Sequence, residues 1–277
     1  IFKIFTKVLN GERPSIDETI PQCFSELIQS CWSQEHSKRP TFAQIVTQLR
    51  TNESFTNFVY EEEFQAYVKY IDEYIKNFNE SKKILPIEDF IDEDLLNKVD
   101  LTTVRKEHSE VLKAKINIKY TNLNKYELQS KIGEGSFSYV YKIMDKKTSE
   151  IYAGKITKFE IYLYNENNII DHYREVEIIS KINHPCILRF IGYSPLNFDH
   201  NECPVIITEF VSNGTLKNAL ILERKGLSLD NWNSTTKLIT IYGIALSMMH
   251  LHQLNILHRD LKPENILLDQ FLTSKNL

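Results

Sequence analysis

Apolar residues recur through the first fifty positions at helical spacing. Ile4, Phe5, Val8 and Leu9 form one stripe, interrupted by Gly11-Glu12-Arg13-Pro14, and Phe24, Leu27, Ile28, Cys31 and Trp32 form a second. After Arg39-Pro40 a capping-type Thr41 opens a third stripe, with Phe42, Ile45, Val46 and Leu49 at i, i+3, i+4 and i+7. The pattern predicts three short helices, none long enough to be stable alone, so each needs a surface to pack on. From about 51 to 125 the chain turns polar and aromatic. Phe64, Tyr67, Val68, Ile71, Tyr74, Ile75 and Phe78 share one helical face, and further helices are expected around 87–96 and 101–114. The acidic groups Glu61-Glu62-Glu63 and Glu88, Asp89, Asp92, Glu93 and Asp94 read either as a docking surface or as the solvated faces of linker helices.

At Tyr126 the texture becomes strand-like. Strands are predicted from Tyr126 through Ile132, over Tyr139 to Ile143 and over Ile151 to Ile156, then a helix carrying Val176, Ile179 and Ile182 on one face. Two more strands fall at Ile187 to Tyr193 and Val205 to Glu209, and helices follow at Leu216 to Leu222 and Thr235 to Gln253. A small sheet followed by helices is an α+β order.

Composition narrows the classes. The 277 residues suffice for one or two domains with a sizeable core. Lys+Arg 33 against Asp+Glu 37 gives a net charge of −4, so no strong field singles out nucleic acid or an anionic membrane as partner. No apolar run approaches the roughly 18 to 20 residues of a membrane span, and the first residues lack a signal-peptide layout. Cys23, Cys31, Cys186 and Cys203 show no Cys-x-x-Cys pair and no metal spacing, so they are expected to be reduced and mostly buried, which points to an intracellular, cytoplasmic protein.

Three motifs bear on chemistry. Gly133-Glu134-Gly135-Ser136-Phe137-Ser138 is a Gly-rich turn between the first two strands, of a kind that lets backbone N–H groups approach phosphate oxygens, although a plain hairpin turn reads the same way. Downstream, Lys155 lies on the following strand and Glu175 on the next helix, an amine and a carboxylate able to hold it. The third, His258-Arg259-Asp260-Leu261-Lys262-Pro263-Glu264-Asn265, sets a carboxylate, an amine and an amide oxygen on one tight loop, as phosphoryl transfer requires. Asp260 can orient and accept the proton of a hydroxyl, Lys262 can neutralise a moving phosphoryl group, and Asn265 can ligate Mg²⁺.

From Tyr126 to Leu277 the chain resembles the first part of a eukaryotic protein kinase domain. The resemblance implies a small antiparallel sheet lobe and a helical lobe, with ATP and Mg²⁺ as cofactors and proteins bearing Ser or Thr hydroxyls as substrates. Carried over by motif, Lys155, Glu175, Asp260 and Lys262 are the catalytic residues and Asn265 the metal ligand. Ile132, Gly133, Gly135, Val140, Ala153, Lys155, Thr208, Glu209, Val211 and Leu267 would contact the nucleotide, Thr208 at the gatekeeper position. Asp-Leu-Lys-Pro-Glu-Asn resembles the serine/threonine kinases. Arg174-Glu175-Val176, His184-Pro185-Cys186-Ile187-Leu188 and Asn213-Gly214-Thr215-Leu216 resemble the tyrosine-kinase-like group. Ser138 replaces the third Gly, and the chain stops before the family's Asp-Phe-Gly motif.

Gly11-Glu12-Arg13-Pro14, Cys31-Trp32 and Ser37-Lys38-Arg39-Pro40-Thr41-Phe42 resemble the last helices of the same large lobe. The expected organisation is therefore the tail of one kinase domain over 1–50, a helical linker over 51–125 and the head of a second domain over 126–277. A circularly permuted single kinase is the alternative. The chain is accordingly read as an internal fragment of a tandem-kinase protein. The stripes Ile4/Phe5/Val8/Leu9 and Phe42/Ile45/Val46/Leu49 are expected to be poorly covered, and Arg39 to lack the Glu that the family pairs with it. The helix at Thr235 to Gln253 is expected to be partly exposed, and the fragment itself to be inactive. A pseudokinase or scaffold is the second functional reading.

Overall fold

A computed structural model describes residues 2–81, 120–158, 176–270 and 273–276. The chain divides into two units, one formed by residues 1–74 with 213–277 and the other by residues 75–212. The helices expected around 87–96 and 101–114 lie outside the described residues.

In the first unit, α1 (Phe2–Leu9), α2 (Gln22–Cys31) and α3 (Phe42–Thr51) stand where the stripes place them. Gly11, at φ 84°, ends α1 in a left-handed turn that few other residues adopt without strain. The Arg13 guanidinium then donates to the carbonyl oxygens of Val8 at 3.0 Å and Trp32 at 3.0 Å and to Gln34 Oε1 at 2.9 Å, tying the ends of α1 and α2 together. Thr41 caps α3 as expected: its Oγ1 accepts from the Gln44 N–H, and the Gln44 side chain accepts from the Thr41 N–H, two otherwise orphaned donors satisfied reciprocally. Arg39 donates to the Ser33 carbonyl at 2.8 Å.

Next comes α4 (Glu61–Ser81), with Phe64, Val68 and Ile71 fully buried on one face. From the far end of the chain come α5 (Leu216–Arg224), capped by Thr215, and α6 (Ser234–Gln253), whose N-cap Asn233 forms a capping box with Thr236. Along α6, Leu238, Ile239, Tyr242, Ala245, Leu246, Met248 and Leu251 are buried, and so are Thr235, Thr236, Thr240, Gly243 and Ser247 between them. The covered positions therefore spread well beyond a single stripe, with Ser234, Ile241 and His252 left exposed. One side carries α3, whose Ile45, Val46 and Leu49 are buried. Another carries β7 of the short hairpin that follows the helix.

This corrects the expectation of poor covering. The stripe on α3 and most of α6 are covered because the N-terminal helices pack against α6 within one unit, while Ile241 in mid-helix stays exposed at 38%. On α1 the expectation holds where side chains are described, since Val8 and Leu9 are exposed at 44% and 59%.

The second unit carries a five-stranded antiparallel sheet of β1 (Tyr126–Glu134), β2 (Ser138–Asp145), β3 (Ile151–Thr157), β4 (Phe190–Ser194) and β5 (Val205–Glu209), in the order β1-β2-β3-β5-β4. One face packs Ile143, Val205 and Ile207 with Leu123 and Tyr126. On the other, Ile206 and Tyr193 pack with Val176 from the helical residues 176–181. A two-stranded hairpin, β6 (Ile266–Leu268) with β7 (Ser274–Asn276), belongs to the first unit. All four cysteines are free thiols; Cys186 and Cys203 are buried, Cys23 and Cys31 half-buried, and burial pushes the Cys31 and Cys203 thiols up. Among the described residues no helix is long and apolar enough to cross a membrane.

Leu49 is fully buried and Leu9 is not. Leu49→Ala is expected to cost about 2–5 kcal/mol, and Leu9→Ala less than about 0.5 kcal/mol. Urea midpoints of the two variants, read at unchanged slope, check the contrast.

Candidate functional site

The sheet unit holds one half of the candidate set. In an antiparallel sheet, residues directly opposite share a face, and so do residues two apart along a strand. The register pairs Gly133 with Val140, Val140 with Lys155 and Lys155 with Ile206, while Lys142 pairs with Ala153 and Ala153 with Thr208. Gly133, Val140, Ala153, Lys155 and Thr208 therefore lie on one face. Ile132 falls at the irregularity between the Lys131–Tyr141 and Gly133–Val140 pairs and is exposed.

The turn between β1 and β2 is closed by the Gly135 N–H, which donates to the Ser138 carbonyl at 2.8 Å, so this amide serves the turn itself. Neither glycine there has a positive φ. A Cβ on Gly133 would meet Val140 at an ordinary 3.6 Å, and one on Gly135 would meet only Ser138, at 3.9 Å. Among the described residues nothing therefore demands glycine at these two positions.

Thr208 is buried, with its hydroxyl donating to the Glu209 carbonyl at 3.2 Å. Glu209 is fixed by Arg189: the Arg189 N–H donates to Glu209 Oε1 at 2.9 Å, and the Glu209 N–H donates to the Arg189 carbonyl at 3.0 Å. Val211 follows, half-buried. Glu175 lies outside the described residues, so its pairing with Lys155 stays an expectation.

A cluster that the motifs did not reveal sits at the same turn. Glu134, between the two glycines, accepts from Lys131 Nζ at 2.5 Å and Lys158 Nζ at 2.8 Å. Both ammonium groups also lie over the Tyr139 ring, 4.3 and 4.6 Å from its centre. The lysines hold the Glu134 carboxyl down at about 2. The Lys158 N–H donates to the Phe137 carbonyl at 3.0 Å, so the end of β3 is fastened to the turn tip. Alternation of charge around a Gly-rich turn was the available signal.

The other half is the loop between α6 and β6. Lys262 Nζ donates to both Asp260 oxygens, at 3.0 and 2.7 Å, and Asn265 Nδ2 donates to Asp260 Oδ2 at 2.9 Å and to the Asp260 carbonyl at 2.8 Å. The Asp260 N–H donates to His258 Nδ1 at 3.3 Å. Lys262, then Asn265, lowers the Asp260 pKa, and Asp260 raises that of Lys262. Arg259 holds a left-handed φ of 64°, a sparsely populated backbone state at the residue before the carboxylate. Lys217 on α5 pairs with Glu264 at 3.0 Å and braces the loop from outside. Leu267 on β6 pairs with Lys275 and bridges to Thr215. Both bonds of the Asn265 side chain to Asp260 use Nδ2, and its amide oxygen is the hard donor suited to Mg²⁺. Asp260, Lys262 and Asn265 are thus brought together, as the motif predicts.

Comparison with known proteins finds two family matches along the chain. Residues 126–275 match the protein kinase domain, and residues 2–49 match the protein tyrosine and serine/threonine kinase family. A serine/threonine-protein kinase of Drosophila melanogaster is 32% identical over 193 residues, 68% of this chain and 23% of that protein. Myosin light chain kinase A of Dictyostelium discoideum is 38% identical over 144 residues, 52% of this chain and 44% of that protein. The Aurora kinase of Saccharomyces cerevisiae is 34% identical over 151 residues, 54% and 38% of the two chains. The chain spans less than half the length of these relatives. It belongs to the protein kinase family.

The Glu134 cluster has a pH signature. Its carboxyl stays ionised in the folded protein down to about 2, against an ordinary 4.5. Its stabilising contribution is therefore whole above pH 4.5 and disappears as pH falls through that window, because the unfolded chain takes up the proton first. Glu134→Gln is expected to flatten the fall of the thermal midpoint between pH 4.5 and 2, measured by circular dichroism.

Proposed function

We propose that this member of the protein kinase family is a serine/threonine kinase, which transfers the γ-phosphoryl group of ATP to protein hydroxyls with the help of Mg²⁺. The observation that carries the reading is the Asp260 carboxylate, held at both oxygens by Lys262 and at one by Asn265. A carboxylate fixed in this way is ionised at neutral pH and a weak base, suited to orienting a substrate hydroxyl and receiving its proton as the O–P bond forms. Lys262 offers a cation for the charge that spreads over the moving phosphoryl oxygens. Bound Mg²⁺ would neutralise phosphate charge, with the Asn265 amide oxygen as a ligand.

The sheet face supplies the nucleotide side. Val140 and Ala153 offer an apolar surface to the base, Lys155 on the same face an amine to the phosphates, and the open glycines room for close approach. Ile132, Glu209, Val211 and Leu267 complete the nucleotide contacts in this reading, and Glu175 is the partner of Lys155. The Lys at position 262 within Asp-Leu-Lys-Pro-Glu-Asn supports Ser or Thr over Tyr as the acceptor. The match of residues 2–49 to the tyrosine and serine/threonine kinase family supports a place in the tyrosine-kinase-like group. Four free thiols fit a reducing, cytoplasmic setting.

The test is transfer of labelled γ-phosphate by the full-length polypeptide that contains this chain. Asp260→Asn is expected to lower turnover by roughly 10²- to 10⁴-fold while ATP binding is kept. Lys155→Met should abolish most transfer, and Gly135→Ala should weaken ATP binding at an almost unchanged thermal midpoint. Unchanged turnover in Lys155→Met would remove that lysine from the mechanism. ATP bound by the unsubstituted protein without any transfer would establish the scaffold reading instead.

A further inference from the structure

We propose that residues 2–74 are the large-lobe complement of residues 213–277 within one chain. The segment that resembles the end of a kinase domain comes first in the sequence, yet it closes the core from which the catalytic loop of the later segment is hung. The inference concerns chain order and packing, and stands whether or not the protein transfers phosphate.

Contacts from the early segment reach α6 along its whole length. At its first turn the Tyr60 N–H donates to Thr235 Oγ1 at 2.9 Å. In its middle, the Tyr242 ring meets Phe64 edge-on at 5.4 Å and Tyr67 at 6.4 Å between centres. In its last turn His252 meets Phe42 edge-on at 5.2 Å. From Thr235 to His252 is a rise of about 26 Å, so the early segment grips nearly the full helix.

The grip is also internally braced. Arg50 of α3 pairs with Asp72 of α4 at 2.5 Å, and its guanidinium interacts with the Tyr242 side chain as well, both of which raise its pKa. Two early helices and α6 therefore meet around one buried tyrosine. Phe64, Val68, Ile71 and Leu49 are buried at 2% exposure or less, the enclosure expected of a domain core rather than of an incidental surface contact. The last turn of α6, where Phe42 sits, is six residues from His258. Loosening the early segment should thus loosen the loop that holds Asp260.

The experiment uses the whole chain with a site-specific protease recognition sequence inserted between residues 90 and 110. After cleavage under native conditions, the two pieces are expected to elute together at the mass of one chain, over a hundredfold range of concentration. Amides of residues 238–251 are expected to keep their slow hydrogen exchange. Leu49→Asp in the same protein should let the pieces part on cleavage and speed exchange along α6 by at least a hundredfold. The milder Leu49→Ala should weaken the association of the cleaved pieces by at least about tenfold. Separation of the unsubstituted pieces on cleavage, with α6 still protected, would overturn the proposal. An uncleaved protein that elutes as a dimer and exchanges its early segment between copies would overturn it too, because the complement would then come from a second chain.

Discussion

A helix buried over most of its surface cannot lose a neighbour without losing apolar burial, and α6 is such a helix, with Ile241 left exposed. It is also the element whose end feeds directly into the loop bearing Asp260, Lys262 and Asn265. The enclosure of α6 therefore decides how firmly the chemistry is held. In this chain the enclosure is shared between the hairpin β6–β7, which follows α6, and α3 and α4, which come some 160 to 200 residues before it. The loop itself contributes little burial. Asp260 and Lys262 have 62% and 46% of their side-chain surface exposed, and exposed ion pairs stabilise a fold only weakly. Their geometry depends on the anchors at either side, α6 before and β6 after.

The sheet unit solves a different problem with the same economy of parts. In the proposed reading this face meets a nucleotide, which asks for apolar contact, one cation and a backbone that can be approached closely. Period-2 alternation delivers these on one face, while Tyr141, Gly154 and Ile207 lie across from one another on the other face. The Gly-rich turn would be loose without side chains to brace it. Glu134 meets that need: it draws Lys131 from β1 and Lys158 from beyond β3 onto one carboxylate, with Tyr139 beneath both. The turn is fastened through Glu134, while Gly133 and Gly135 are not crowded by any described neighbour.

Much of this was legible from residue pattern. The helices over the first eighty residues, the Thr41 cap, the five strands and the Asp260 loop all follow from local rules: periodicity, capping chemistry and motif spacing. What pattern does not carry is identity of partner. The stripe of Ile45, Val46 and Leu49 announces that something must cover it but not that the cover is a helix nearly two hundred residues later. The expectation of a partly exposed α6 holds only at positions such as Ile241 and fails over most of the helix for that reason. Likewise, nothing local marks Tyr242 as the point where Phe64, Tyr67 and Arg50 converge, or Lys158 as a brace for Glu134, since both depend on register and tertiary packing. The strand expected from Ile187 begins instead at Phe190, with Ile187 in an isolated bridge, because strand ends are set by the neighbours that pair with them.

The most direct measurement of the central claim, that the early helices and α6 form one core, is a double-mutant cycle between Phe64→Leu and Tyr242→Leu in urea unfolding. An edge-on aromatic pair in a shared core should give a coupling of about 0.5–1.5 kcal/mol. Strict additivity of the two substitutions would contradict the account.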